Sequence, residues 1–200
     1  MIELMDPIIK SHKVDISTGL NVHYLEALKN NNKIDSQPTV LLLHGFPELS
    51  FSWRKTMPIL ASEGFRVIAP DIRGYGLTSG GVKKYDVDIS EYRLLNLTTD
   101  ILSLLSALKI DKIDLLVGHD AGSSVAGISA LIRPDIFKSV VMMSAPFTGA
   151  PNVESNLSYE DPIHKNLENL NPPRKHYQWY YSTPGANNDM HLDKKGLHKF

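Results

Sequence analysis

Three times in this chain a short, mainly apolar run stops abruptly at a polar loop containing glycine. Residues 39–43 end at His44-Gly45-Phe46-Pro47, residues 66–69 end at Pro70-Asp71-Ile72-Arg73-Gly74-Tyr75-Gly76, and residues 113–117 end at Gly118-His119-Asp120-Ala121-Gly122. Strand-length runs with so little polar alternation are the pattern of strands buried on both faces of a parallel sheet. Parallel strands need crossovers, and helical patterns lie between these runs. Leu94, Leu97, Ile101, Leu104, Leu105 and Leu108 recur at three- and four-residue spacing, which predicts an apolar helix stripe. Segment 52–62 carries Trp53, Met57, Leu60 and Ala61 at helical spacing, with Pro58 predicting a break or kink and Gly64 a stop. A small-residue helix is predicted at 123–132, ended by Arg133-Pro134, and a sixth strand at 139–143.

Before the first buried run, two segments within 13–27 flank Thr18-Gly19 and read as an antiparallel hairpin, followed by a polar loop at Asn30-Asn31-Asn32-Lys33. The prediction is an α/β fold: a mostly parallel, doubly wound sheet with an N-terminal antiparallel hairpin. Near Thr148 the composition shifts to Pro, Asn, Lys, His and Tyr with no buried-strand signal. Residues 1–147 are therefore expected to form the core, and 148–200 a second, largely helical or irregular segment.

Charge narrows the function classes. With 21 basic against 22 acidic residues the net charge is −1, so nothing favours nucleic acid or an anionic membrane, and a small neutral substrate fits better. Cysteine is absent from the sequence, which removes disulfides, thiolate metal sites and Cys nucleophiles together. Neither a signal peptide nor a membrane span is legible, and a cytoplasmic location is the expectation. His164, His176, His191 and His198 are scattered without metal-ligand spacing and are expected at the surface, with no metal or cofactor.

Ligands of an open parallel sheet bind beyond the carboxyl ends of the strands, where the three loops converge. The third loop has the form Gly-x-Asp-x-Gly, a strand-to-helix elbow with Asp120 at its centre. Gly118 and Gly122 mark positions too crowded for side chains, while the central residue is thrust into the pocket. A carboxylate placed there can attack an electrophilic carbon, giving an alkyl ester that water then cleaves. The neighbouring helix N-terminus favours negative charge at that point. Cleaving the ester creates an oxyanion on Asp120 itself, and the backbone N–H groups of Ala121 and Phe46 are the expected donors to it.

These motifs resemble those of the soluble epoxide hydrolases of the α/β-hydrolase superfamily. The resemblance rests on His44-Gly45-Phe46-Pro47-Glu48, Ser52-Trp53-Arg54, Asp71-x-Arg73-Gly74-Tyr75-Gly76, Gly118-His119-Asp120-x-Gly122 and Ala145-Pro146-Phe147, in order, and it extends over roughly residues 20–190. It implies a cis Phe46-Pro47 bond and an inserted cap that begins after the sixth strand. It also implies that Tyr177, first in Tyr177-Gln178-Trp179-Tyr180-Tyr181 before Pro184-Gly185, donates a hydrogen bond to the epoxide oxygen. A phenol with an ordinary pKa of about 10 can donate to a developing alkoxide without being ionised at rest. His44, Gly45, Pro47, Trp179 and Tyr180 are expected to shape the pocket. The implied substrates are a small apolar epoxide and water, and the implied product is a vicinal diol.

Ala121 departs from the family's pattern, in which an aromatic or cationic residue commonly follows the nucleophile. That side chain would matter most to the nearest alternative, a haloalkane or haloacid dehalogenase, which needs halide donors beside the carboxylate. The family's base His and its acid partner fall beyond the cap, outside these 200 residues, so the chain alone is expected not to turn over. A hydrolase-fold ligand-binding protein is the alternative of another class. His119 is expected to point away from the pocket, His44 to hold its loop, Glu48 to orient a loop, and Asp71 and Arg73 to bond within their own turn.

Overall fold

The computed structural model describes residues 5–29, 37–82, 84, 86–145 and 162–193. Two compact units divide the chain at Gly149 and Ala150. The first is built on a six-stranded sheet in the order β1-β2-β4-β3-β5-β6, with β1 Ile9–Asp15, β2 Asn21–Ala27, β3 Thr39–Leu43, β4 Arg66–Pro70, β5 Leu115–His119 and β6 Val140–Met143. The hairpin pairs β1 with β2 antiparallel, Ile9 opposite Ala27 and Asp15 opposite Asn21, and β2 runs antiparallel to β4. From β4 through β3 and β5 to β6 the sheet is parallel.

Period-two alternation sends each buried strand's side chains to both faces. Leu41 and Leu43 of β3 join Ile68 and Leu116 on one side, while Val40 and Leu42 join Val67, Ala69 and Val117 on the other. Helix α1 (Thr56–Ser62) covers the second face with Met57 and Ala61. Helices α2 (Leu94–Ala107) and α3 (Ala121–Ile132) cover the first with Ile101, Leu104, Leu105, Val125 and Ala126. Full burial of one such Leu or Val contributes about 1.5–3 kcal/mol, which is why runs without polar residues occupy the sheet centre.

Three local expectations are corrected. Pro58 breaks nothing: a 3-10 turn at Ser50–Lys55 passes into α1 at Thr56, so Pro58 falls in the first turn, where its missing N–H has no intrahelical acceptor to lose. The fifth strand begins at Leu115, and Ile113 forms only an isolated bridge with Phe137. Leu94 is exposed at the start of α2, so the buried stripe begins beyond it.

The second unit contains three short helices, α4 Pro162–Glu168, α5 Tyr177–Tyr181 and α6 Ala186–Leu192. The polar stretch at 30–33, Pro146, Phe147, the side chain of His164 and all of His198 lie outside the described residues. No helix among the described residues is long and apolar enough to cross a membrane.

Candidate active site

Strands β3 and β5 are neighbours, Leu43 opposite Gly118, so the loops leaving their carboxyl ends meet at once. Strand order reverses here, with the chain moving from β3 outward to β4 and later to β5 on the other side, and a crevice opens at such a point. Between β5 and α3 the chain turns on Asp120, whose φ of 52° and ψ of −121° fall where a side-chain-bearing residue is strained. The turn is held from several sides. A Cβ on Gly118 would collide with the Gly122 carbonyl, and one on Gly122 would lie 2.5 Å from the carbonyl oxygens of Leu43 and His44. The fully buried Ser123 hydroxyl lies 2.7 Å from the Gly118 carbonyl oxygen and 2.8 Å from that of Met143, and it accepts from the Met143 N–H at 3.0 Å. The Asp120 N–H donates to the Met143 carbonyl at 3.0 Å.

So fixed, the Asp120 carboxylate faces the first loop. Phe46 donates its backbone N–H to Asp120 Oδ1 at 2.9 Å, and the Phe46-Pro47 bond is cis. Gly45 passes so close that a Cβ there would strike the Asp120 Cβ and lie 2.7 Å from Oδ1. Ala121 opens α3 directly after the elbow, where its side chain is exposed.

His44 is fully buried and anchors two loops: Nδ1 donates to the Gly45 carbonyl at 3.0 Å and Nε2 accepts from the Ile72 N–H at 3.1 Å. That pattern requires the neutral ring, and burial lowers its pKa in the same sense. Glu48 Oε2 meets His119 Nδ1 at 2.8 Å, joining the first loop to the elbow. Asp71 accepts from the Leu77 N–H of its own turn, as expected, but also from the Ser50 N–H and from His23. Arg73 leaves its turn altogether. Its guanidinium forks onto Asp100 of α2, Nε to Oδ2 at 2.8 Å and Nη2 to Oδ1 at 2.7 Å, and also pairs with Glu91, a planar geometry that a carboxylate satisfies better than the loop's carbonyls.

Tyr75 was not among the residues expected at the site. Its ring packs edge-on against His44 with centroids 5.1 Å apart, and its phenol pKa is raised by burial and then by the charge of Asp120. The sequence signal was available: Tyr75 is the aromatic residue of the second of the three converging loops.

In the second unit, Tyr177 opens α5 and is 47% exposed, with its ring beside those of His176 and Tyr181. Trp179 is exposed on the same helix. Tyr180 instead donates to Asp189 Oδ2 of α6 at 2.7 Å, which ties α5 to α6. Among the described residues no group of three or more His, Cys, Asp or Glu could hold a metal ion.

A family model described as alpha/beta hydrolase fold matches residues 38–183. An epoxide hydrolase of Caballeronia sordidicola is 45% identical over 134 residues, 66% of this chain and 37% of its own length. Epoxide hydrolase B of Mycobacterium tuberculosis is 34% identical over 189 residues, 92% of this chain and 51% of its own. The solved structure of potato (Solanum tuberosum) epoxide hydrolase I superposes with a TM-score of 0.70 at 34% identity, covering 92% of this chain and 52% of that one. The chain thus spans at most about half the length of these relatives. Elbow, sheet order and relatives agree: the chain belongs to the alpha/beta hydrolase fold family and within it is similar to epoxide hydrolases.

Proposed function

We propose that this chain carries the nucleophile of an epoxide hydrolase, with Asp120 attacking an epoxide carbon and the second unit serving as the start of a cap. The observation that carries the reading is a carboxylate held on a strained elbow, its Oδ1 bonded to the Phe46 N–H at 2.9 Å. The other carboxylate oxygen forms the bond to carbon. The C–O bond of the epoxide breaks, and Tyr177 donates its phenolic proton to the alkoxide. Water then adds to the ester carbonyl carbon of Asp120, the charge developing on Oδ1 opposite the N–H groups of Phe46 and Ala121. Collapse breaks the ester C–O bond, the leaving alkoxide takes the remaining water proton to give the diol, the carboxylate is restored, and the proton held by a general base returns to the Tyr177 phenolate. His44, Gly45 and Pro47 shape the pocket on the Asp120 side, and the general base activates the water.

The test is a single turnover of full-length protein in 18O-labelled water, with enzyme in excess over styrene oxide. The diol should carry unlabelled oxygen donated by Asp120, and the Asp120 peptide should gain about 2 Da as the label enters its carboxylate. Label appearing directly in the diol, with the peptide unchanged, would mean that water attacks the epoxide and that Asp120 is not the nucleophile. Halide release from haloalkanes by the same carboxylate would favour the dehalogenase reading instead.

A further inference from the structure

A second hydrogen-bonded relay lies toward the other edge of the sheet from β6. Ser11 stands on edge strand β1, His23 on β2, and Asp71 directly after β4. Ser11 Oγ is 2.9 Å from His23 Nε2, and His23 Nδ1 is 2.7 Å from Asp71 Oδ2. Asp71 is almost fully buried and already accepts the N–H groups of Ser50 and Leu77, each at 2.9 Å. An ionised carboxylate only accepts, so Nδ1 carries the ring proton and Nε2 is left to accept the Ser11 hydroxyl. The order hydroxyl, imidazole, buried carboxylate is that of an activated serine, in which the acid fixes the tautomer and the ring takes the proton.

The relay also faces a space large enough for a ligand. Ser11, His23 and Asp71 line a cavity of about 320 Å3 whose apolar walls include Met5, Leu25, Leu49, Phe51 and Leu77. Ser11 is exposed at its mouth, whereas His23 and Asp71 are buried behind it. None of the groups that hold Asp120 lines this cavity.

We propose that Ser11, His23 and Asp71 form a second, Asp120-independent acyl-transfer site that takes small apolar esters with good leaving groups. Ser11 Oγ adds to the ester carbonyl carbon as its proton passes to His23 Nε2. The carbonyl then reforms as the C–O bond to the leaving group breaks. The leaving alcohol takes the proton, and water hydrolyses the acyl-serine by the same route in reverse. The leaving-group restriction follows from the surroundings. The N–H of His23 is committed to the Thr78 hydroxyl, and those of Ser50 and Leu77 are committed to Asp71, so none of these stabilises the oxyanion. A missing oxyanion donor typically costs about 10²–10³-fold in rate, which a reactive ester offsets.

The test uses full-length protein carrying Asp120→Asn, incubated with para-nitrophenyl butanoate and, separately, with an alkyl fluorophosphonate followed by peptide mapping. We expect nitrophenolate release that falls about 10²-fold on adding Ser11→Ala, and a single phosphonyl group on the Ser11 peptide. Ser17 is the internal control, being an exposed serine whose hydroxyl meets Ser103 rather than an imidazole. Ester hydrolysis unchanged by Ser11→Ala, absence of the Ser11 adduct, or equal labelling of Ser11 and Ser17 would each overturn the assignment. Because Asp120 is already disabled, none of these outcomes bears on the epoxide reading.

Discussion

Phe46 and Asp120 are 74 residues apart in sequence, yet the backbone N–H of one bonds the carboxylate Oδ1 of the other at 2.9 Å. The bond exists because β3 and β5 are adjacent parallel strands whose following loops leave the sheet side by side. One carboxylate oxygen is thereby oriented, and in the proposed reaction the same N–H is in place for the charge that would develop as the ester is cleaved.

Replacing Asp120 separates chemistry from stability. Asp120→Asn in the full-length protein should lower diol formation by at least about 10⁴-fold with the fold intact, as expected for loss of a covalent nucleophile. Asp120→Gly should be equally inactive but more stable than Asp120→Ala by about 1 kcal/mol, since both lose the Phe46 N–H bond and only glycine adopts a φ of 52° without strain. Urea denaturation checks the second outcome, and a Gly variant no more stable than the Ala variant would show that the backbone there is not strained.

Gly45→Ala is predicted to harm both catalysis and folding. Its new methyl would press on the Asp120 Cβ and Oδ1 and lie 2.6 Å from the His119 backbone oxygen, and displacing a reacting group by about 1 Å costs on the order of 10²-fold. Parallel kcat and thermal-melt measurements check this, with a large fall in kcat expected beside a clear fall in Tm.

Asp71 sets a pH dependence. Burial opposes its ionisation, but hydrogen bonds from His23, Leu77 and Ser50 outweigh that and hold its pKa far below the ordinary carboxylate range. The unfolded chain therefore binds the proton more readily than the folded one. The stabilisation from Asp71 is complete above the unfolded pKa of about 3.9 and is lost progressively as pH falls below it. Asp71→Asn should cost about 3 kcal/mol at neutral pH, and wild type and variant should converge in urea midpoints measured downward from pH 5.

Ser123→Ala removes the hydroxyl that links Gly118 and Met143 across the elbow, leaving a part-buried N–H at Met143 without its acceptor. A loss of about 1–3 kcal/mol is expected, read as a shift in the urea midpoint. Because this hydroxyl fixes β6 to the turn, kcat should fall as well.

The parts of this architecture that local patterning controls were legible in the sequence. The unbroken apolar stretch of β3, the Thr18-Gly19 turn and the Gly-x-Asp-x-Gly elbow each state their conformation within a few residues. Pro58 misled because proline disrupts a helix interior but suits its first turn, and the boundary between the 3-10 turn and α1 has no residue signature. Tyr75 against His44, Glu48 with His119, Arg73 forked onto Asp100 and the Ser11-His23-Asp71 relay depend on side chains meeting across strands or loops. Sheet order and register decide those meetings, and neither composition nor periodicity encodes them.

The elbow has an evolutionary corollary. Its curvature is secured by Gly118, Gly122, the Ser123 hydroxyl and the main-chain bond from the Asp120 N–H to Met143, while the side chain at the apex adds only its functional group. Nothing that shapes the bend asks for a carboxylate. A lineage could therefore exchange the apex side chain, the reactive group of the proposed mechanism, by one codon while inheriting the scaffold unchanged.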